Sequence, residues 1–346
     1  MLVITAAPPP PGRRVRTPAL FKRLLLVGAC LSALPGAAQE SAAPPVKTAK
    51  DVQGWMEKNR NWQRWGPQDQ LGAVNLISPA KRKQAAQLIR EGVSVSVAHP
   101  LETQKSADVT HPLAHQMIAT GESADSSYSM DSLTIAYHGF AHTHLDALCH
   151  VFNEGKTFNG YDQKLVTASG CGTLAVSAYK DGIVTRGVLI DLPALRGVAW
   201  LEPDTAIQAS DLEAWEKKTK VRVSSGDAVI VRTGRWARRA AKGPWDVSAQ
   251  SAGLDVSTAD WFKKRGVALV ATDVGLDVLP PRVEGVTFPV HRMLINSLGI
   301  AVIDDADPEA LSKAAAARKR HDFFFSVAPL NVEGGTGSPV NPIAIF

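Results

Sequence analysis

The chain has 346 residues, 45% of them hydrophobic, and a formal net charge of +5, so it is long enough and apolar enough to bury a substantial core. The excess base sits at the start. Arg13, Arg14, Arg16, Lys22 and Arg23 precede residue 38 with no acidic residue among them, and beyond that point basic and acidic residues balance. A neutral body without a basic stripe interleaved with aromatics excludes a nucleic-acid partner, and no second apolar run of membrane length follows.

Residues 1–38 read as a secretory signal: a cationic start, an apolar run over 24–34, then Gly36, Ala37 and Ala38 at the expected cleavage point. Cys30 also permits a lipid-attached form, and Arg13-Arg14 a twin-arginine signal. The mature protein is therefore expected to be periplasmic or secreted, with no membrane partner after processing. Residues 39–47 form a flexible lead-in, and 48–346 are expected to fold as one domain. Only Cys149 and Cys171 survive processing, and their spacing does not decide whether they pair.

In chain order, residues 52–65 carry a helical pattern with Trp55, Trp62 and Trp65 on it, stopped by Gly66-Pro67. Packing in the core is the expected use of these tryptophans. Ser78-Pro79 opens a second helix running to about Arg90 and closed by Gly92. Short β-branched runs then alternate with helical stretches. Strands are predicted at 93–97, 187–192, 228–232, 267–271, 300–303 and 323–327, and helices at 210–218, 257–265 and 307–316. This is an α/β pattern. No glycine-rich phosphate loop follows a strand, which argues against a nucleotide-binding sheet.

The densest chemistry lies between residues 138 and 150, where His138, His142, His144, Asp146 and His150 occur together. Imidazoles with a carboxylate suit a divalent metal such as zinc or manganese. If a strand beginning at Asp131 continues past Tyr137, then His142, His144 and Asp146 share one face, because side chains repeat every second residue. His150, four residues after Asp146, is placed to act as a general base or acid, or to orient a ligand. A lone histidine such as His99, His111, His115 or His321 is read as structural.

Thr143-His144-Leu145-Asp146 with His150 resembles the second half of the motif His-x-Gly-Thr-His-x-Asp-x-Pro-x-His of the metal-dependent cyclase family, which includes bacterial kynurenine formamidase and isatin hydrolase. In the first half, His142 replaces the family glycine and Phe140 stands where the family has its first histidine, with His138 two residues earlier. The first ligand is thus His138 or His142. The run Trp65 to Asn75 resembles the N-terminal signature of longer members, and the runs 185–191 and 226–234 resemble two core strands with their turns. The resemblance implies a single α/β domain with a mixed, barrel-like β core flanked by helices. It further implies His291 and Asp304 as completing a second metal site, and a dimer or larger homo-oligomer. Residues 334–339 resemble the family's C-terminal turn, with Asn341 where an arginine is common.

The expected activity is hydrolysis of a carbon–nitrogen bond in an aryl formamide, amide or cyclic amide, a small-molecule substrate, using one or two zinc or manganese ions to polarise the carbonyl and supply hydroxide. A lactone is the competing substrate class, since the same nucleophile attacks either carbonyl. A secreted metal- or ligand-binding protein without turnover is the alternative of a different kind.

Overall fold

Three nearly unbroken apolar runs, Ala228–Arg232, Leu269–Thr272 and Ala301–Asp304, form the middle of the protein, and every residue in them is buried. Such runs are what a strand covered on both faces requires. The computed structural model describes residues 46–346; the expected leader and residues 39–45 of the lead-in lie outside them. Among the described residues no helix is long and apolar enough to cross a membrane.

The strands used below are β1 (Ser94–Ser96), β2 (Ala114–Ala119), β3 (Met130–Thr134), β4 (His144–Asp146), β5 (Ile183–Asp191) and β6 (Ala228–Arg232). They continue with β7 (Leu269–Thr272), β8 (Ala301–Asp304), β9 (Asp322–Val327), β10 (Gly337–Pro339) and β11 (Ile343–Ile345). Nine of them form one curled, half-barrel sheet in the order β1-β11-β9-β5-β6-β7-β8-β4-β10. The β5-β6-β7-β8 segment is parallel, and the strands on both sides of it are antiparallel. The fold is thus mixed α/β with helices against the sheet, as the resemblance implies.

The predicted core strands lie within two residues of where the sequence places them, except that the strand predicted at 187–192 begins four residues earlier, at Ile183. The helices depart more. The first, α1 (Ala49–Asn59), starts earlier than its pattern because Thr48 and Asp51 make a reciprocal capping box. It stops at Asn59 rather than continuing to Trp65, because Asn61 N–H donates to the Ser297 carbonyl and Trp62 Nε1 donates to the Asn296 carbonyl. Those tertiary bonds outcompete one further turn of helix. Trp55 is buried, with its Nε1 donating to Asp260, while Trp62 and Trp65 pack on the core only in part. The second, α2 (Pro79–Ala86), is capped by Ser78 as expected but ends before Arg90.

The largest departure concerns the strand expected from Asp131 toward Asp146. β3 ends at Thr134 and pairs only with β2, so the two form a separate antiparallel ribbon whose side chains are almost all exposed. Gly139, at φ +131, turns the chain before it re-enters the main sheet at His144. The alternation that placed His142 in phase with His144 is therefore broken.

Candidate metal centre

β4 lies between β8 and β10, and its register assembles the site. Asp304 pairs with His144, and Gly337 pairs with Asp146. Residues opposite each other on antiparallel strands share a face, so the side chains of His144, Asp146 and Asp304 project together. At the third position the partner is a glycine. A Cβ at Gly337 would lie 2.7 Å from the Leu145 carbonyl oxygen and 3.0 Å from His138 Cε1, so the missing side chain is what admits the His138 ring.

The strand's entry is pinned by Thr143, whose hydroxyl donates to the Asp305 carbonyl and accepts from His99 N–H. Its exit is fixed by Ala147 N–H donating to the Thr336 carbonyl and by a disulfide joining Cys149 to Cys171. His291 arrives from the other side, on the single helical turn Pro289–His291. Asp277 accepts from Val290 and His291 N–H and also from His291 Nδ1 at 2.6 Å, so one carboxylate both caps the turn and aims the imidazole.

Two groups of potential ligands result, His138/His144/Asp146 and Asp146/His291/Asp304, each with its donor atoms within 4.8 Å of one another. Each imidazole is tied on its outer nitrogen. His144 Nδ1 donates to the His142 carbonyl at 2.8 Å, His138 Nε2 meets Thr336 Oγ1 at 2.9 Å, and His291 Nδ1 donates to Asp277. The inner nitrogens face the carboxylates: His138 Nδ1 and His144 Nε2 lie 3.2 and 3.5 Å from Asp146 Oδ1, and His291 Nε2 lies 2.9 Å from Asp304 Oδ2. His138 Nδ1, both oxygens of Asp146 and Oδ1 of Asp304 are buried yet make no aligned hydrogen bond. Buried polar atoms left without partners are costly, and here they point at one another across a gap. A divalent cation bound by nitrogen and oxygen donors fits them.

Electrostatics agree with that fit. Burial opposes charge on His144 and His291, but the neighbouring carboxylates outweigh it and raise both pKa values, His291 well above an ordinary imidazole. Burial likewise opposes charge on Asp146, yet His150, His138 and His144 together hold its carboxyl below the usual range. The site attracts positive charge, whether protons or a metal that displaces them.

Of the residues singled out from sequence, His138, His144, Asp146, His291 and Asp304 come together, and His150 joins them as a pocket wall. The His150 ring stacks on His138 with centroids 4.1 Å apart and planes 3° from parallel. His142 does not join. Its Nε2 turns away to the His111 carbonyl at 3.1 Å, and its contribution to the site is its own carbonyl, which orients His144. Sequence reasoning missed Asp277, 14 residues from its partner His291 in the chain, and Thr336, which lies inside the Gly-rich turn 334–339. It also missed Phe140, Phe152, Phe288 and Arg292, which line the cavity of about 510 Å³ over the ligands. Phe288 adopts the left-handed conformation (φ 50°, ψ 56°), and Arg292 starts a π-helix, Arg292–Leu298; both irregularities are typical of functional sites.

The Cyclase family model ("Putative cyclase") matches residues 107–277. A solved structure described as a novel cyclase is 29% identical, superposes with a TM-score of 0.76, and covers 83% of this chain and 100% of its own. An isatin hydrolase bound to the product analogue thioisatinate is 19% identical with a TM-score of 0.53, covering 79% of this chain and 98% of its own. Isatin hydrolase A from Ralstonia solanacearum, also 19% identical at 0.53, covers 76% and 94%. These last two share the fold. No curated protein matches in sequence. The motif around His144, the family model over residues 107–277 and the superposition agree in direction: the chain is similar to the cyclase family in its matched segment and in its fold.

Proposed function

We propose that the protein is a metal-dependent hydrolase that cleaves a carbon–nitrogen bond in an aryl formamide, amide or cyclic amide. The observation that carries this reading is the set of partnerless donor atoms on His138, Asp146 and Asp304, gathered beneath a cavity walled by phenylalanines and by His150. His138, His144, Asp146, His291 and Asp304 would hold one or two zinc or manganese ions, with Asp146 shared between the groups. Such an ion is a Lewis acid toward a carbonyl and lowers the pKa of water toward neutrality.

The remaining work falls to the chain itself. Phe140 and Phe288, with ring centroids 6.4 Å apart, and Phe152 form an apolar wall suited to a flat aryl group. Burial pulls the His150 pKa below that of a free imidazole, against the pull of Asp146, so the ring is neutral and able to accept a proton near pH 7. In hydrolysis, oxygen from water bonds to the carbonyl carbon, the C–N bond breaks, and a ring nitrogen of His150 carries the water's proton to the departing nitrogen. The products are an amine and a carboxylic acid, which ionises to a carboxylate and releases the second of the water's protons. The test is proton release by purified, metal-loaded protein from a panel of formanilides, cyclic imides and lactones, with elemental analysis of the sample. Turnover of formanilides or imides is expected. Turnover of lactones alone would move the substrate class, and no turnover from any member would favour a binding protein.

The exported setting expected from the leader is supported by the Cys149–Cys171 bridge, a bond that persists in oxidising compartments. We further propose that the β2–β3 ribbon docks on a second copy of the chain. A two-stranded ribbon is marginal alone, and this one exposes Met117, Ile118, Met130 and Leu133, each about half accessible or more. Ile118→Glu with Leu133→Glu is expected to shift sedimentation from dimer, or a larger species, to monomer. Unchanged sedimentation would remove the ribbon from the interface.

A further inference from the structure

Arg292 is set apart from the other arginines by its surroundings. Among the described residues, the other arginines have a carboxylate within 4 Å or lie over an aromatic ring, except Arg82, Arg90 and Arg222, which are exposed. Arg292 is only partly exposed, has neither kind of partner, and lines the cavity above the metal ligands. A guanidinium withdrawn from water is costly unless something pairs with it.

The charges in the cavity wall sharpen the point. Its fixed charges are Asp146, Asp304 and Arg292. On the metal-dependent reading above, a divalent cation balances the two carboxylates and leaves the guanidinium uncompensated. Arg292 immediately follows His291 and begins the π-helix, so its backbone is held by the same element that presents the ligand. Phe140, Phe152 and Phe288 line the same cavity and give it uncharged aromatic surface. A flat ring lying against the phenylalanines, with an anionic group facing a planar five-donor fork, is the ligand this arrangement complements.

We infer that Arg292 is a specificity residue that binds a carboxylate carried on the substrate's aryl ring, so that the preferred substrate is an amide or formamide of an aromatic amino acid such as an aminobenzoate, rather than a neutral anilide. The guanidinium pairs with the carboxylate while the amide carbonyl lies at the ligand cluster, which fixes the ring's orientation between two charged anchors.

The test uses the metal-loaded full chain and the N-formyl derivatives of 2-, 3- and 4-aminobenzoate, each beside its methyl ester. For the isomer whose geometry fits, kcat/KM for the acid is expected to exceed that for the ester by about 10- to 100-fold, the range of a charge-assisted bidentate pair. Arg292→Gln should collapse that ratio, and Arg292→Lys should retain part of it, because the charge stays while the fork is lost. An independent arm measures equilibrium binding of benzoate against methyl benzoate. Wild-type protein should bind benzoate more tightly and Arg292→Gln should lose the difference, at an unchanged melting temperature. If none of the formyl compounds turns over, the hydrolytic reading fails, and the binding arm still decides the role of Arg292. Benzoate bound equally by wild type and Arg292→Gln, or an acid-to-ester preference that survives in Arg292→Gln, overturns the inference.

Discussion

Asp146→Ala is expected to reduce bound metal to background and turnover by at least about 1,000-fold, since electrophilic assistance by a metal is worth several kcal/mol and each 1.4 kcal/mol is a factor of ten. Asp146 is the one residue common to both candidate ligand groups, and neither of its buried oxygens has another hydrogen-bond partner. Its loss therefore removes a donor from each group at once. A second readout separates this from misfolding. In wild type, chelation should lower the melting temperature, because a ligand that binds only the folded state stabilises it by mass action, about 4 kcal/mol when its concentration is 1,000 times Kd. Asp146→Ala should melt at the same temperature with and without chelator. The paired variants His138→Ala and His142→Ala then resolve the first ligand. The former should lose metal; the latter should keep it, because the His142 carbonyl that orients His144 is part of the backbone and survives the substitution. An Asp146→Ala protein that retains metal and activity, or a His142→Ala protein that loses the metal while folded, would remove this assignment.

The legible and illegible parts of the molecule differ in how far apart in sequence their causes lie. The runs at 228–232, 269–272 and 301–304 announce themselves because strands buried on both faces need no alternation and tolerate few polar residues. His144, Asp146 and His150 are readable as a cluster because three-residue β4 and the turn after it keep their spacing. His291 and Asp304 are a different case: nothing local marks them, and only the resemblance to a family joins them to the first group. The misplacing of His142 has a single physical source. Alternation holds only while the strand does, and here the ribbon ends at Thr134 and the chain turns at Gly139. Asp277 and Thr336 act through hydrogen bonds to partners 14 and 198 residues away, so no pattern in a window of residues exposes them. Gly337 is similar. Its meaning appears only when register sets it opposite Asp146 and its empty side is seen to be filled by His138.

His150→Phe is expected to lower kcat by about 100- to 10,000-fold, the usual worth of a positioned acid–base group, while leaving the metal content unchanged. Phenylalanine is the informative replacement because His150 lies flat against His138, and a ring of similar shape preserves that stack and the wall it forms while removing both nitrogens. The pH profile supplies a readout that a packing role would not move. A base must be neutral to accept a proton, so activity falls as pH drops through its folded-state pKa. Burial places that pKa below the ordinary imidazole value of about 6.5, and a cation at the neighbouring ligands would depress it further, since positive charge disfavours the imidazolium. Wild type should accordingly hold its rate well below neutrality and then lose it along one acidic limb assigned to this ring. The residual rate of His150→Phe should lack that limb. A His150→Phe enzyme with wild-type kcat, or one whose acidic limb is unchanged, would show that the proton travels by another route and that the stacked ring serves only to hold His138 in place.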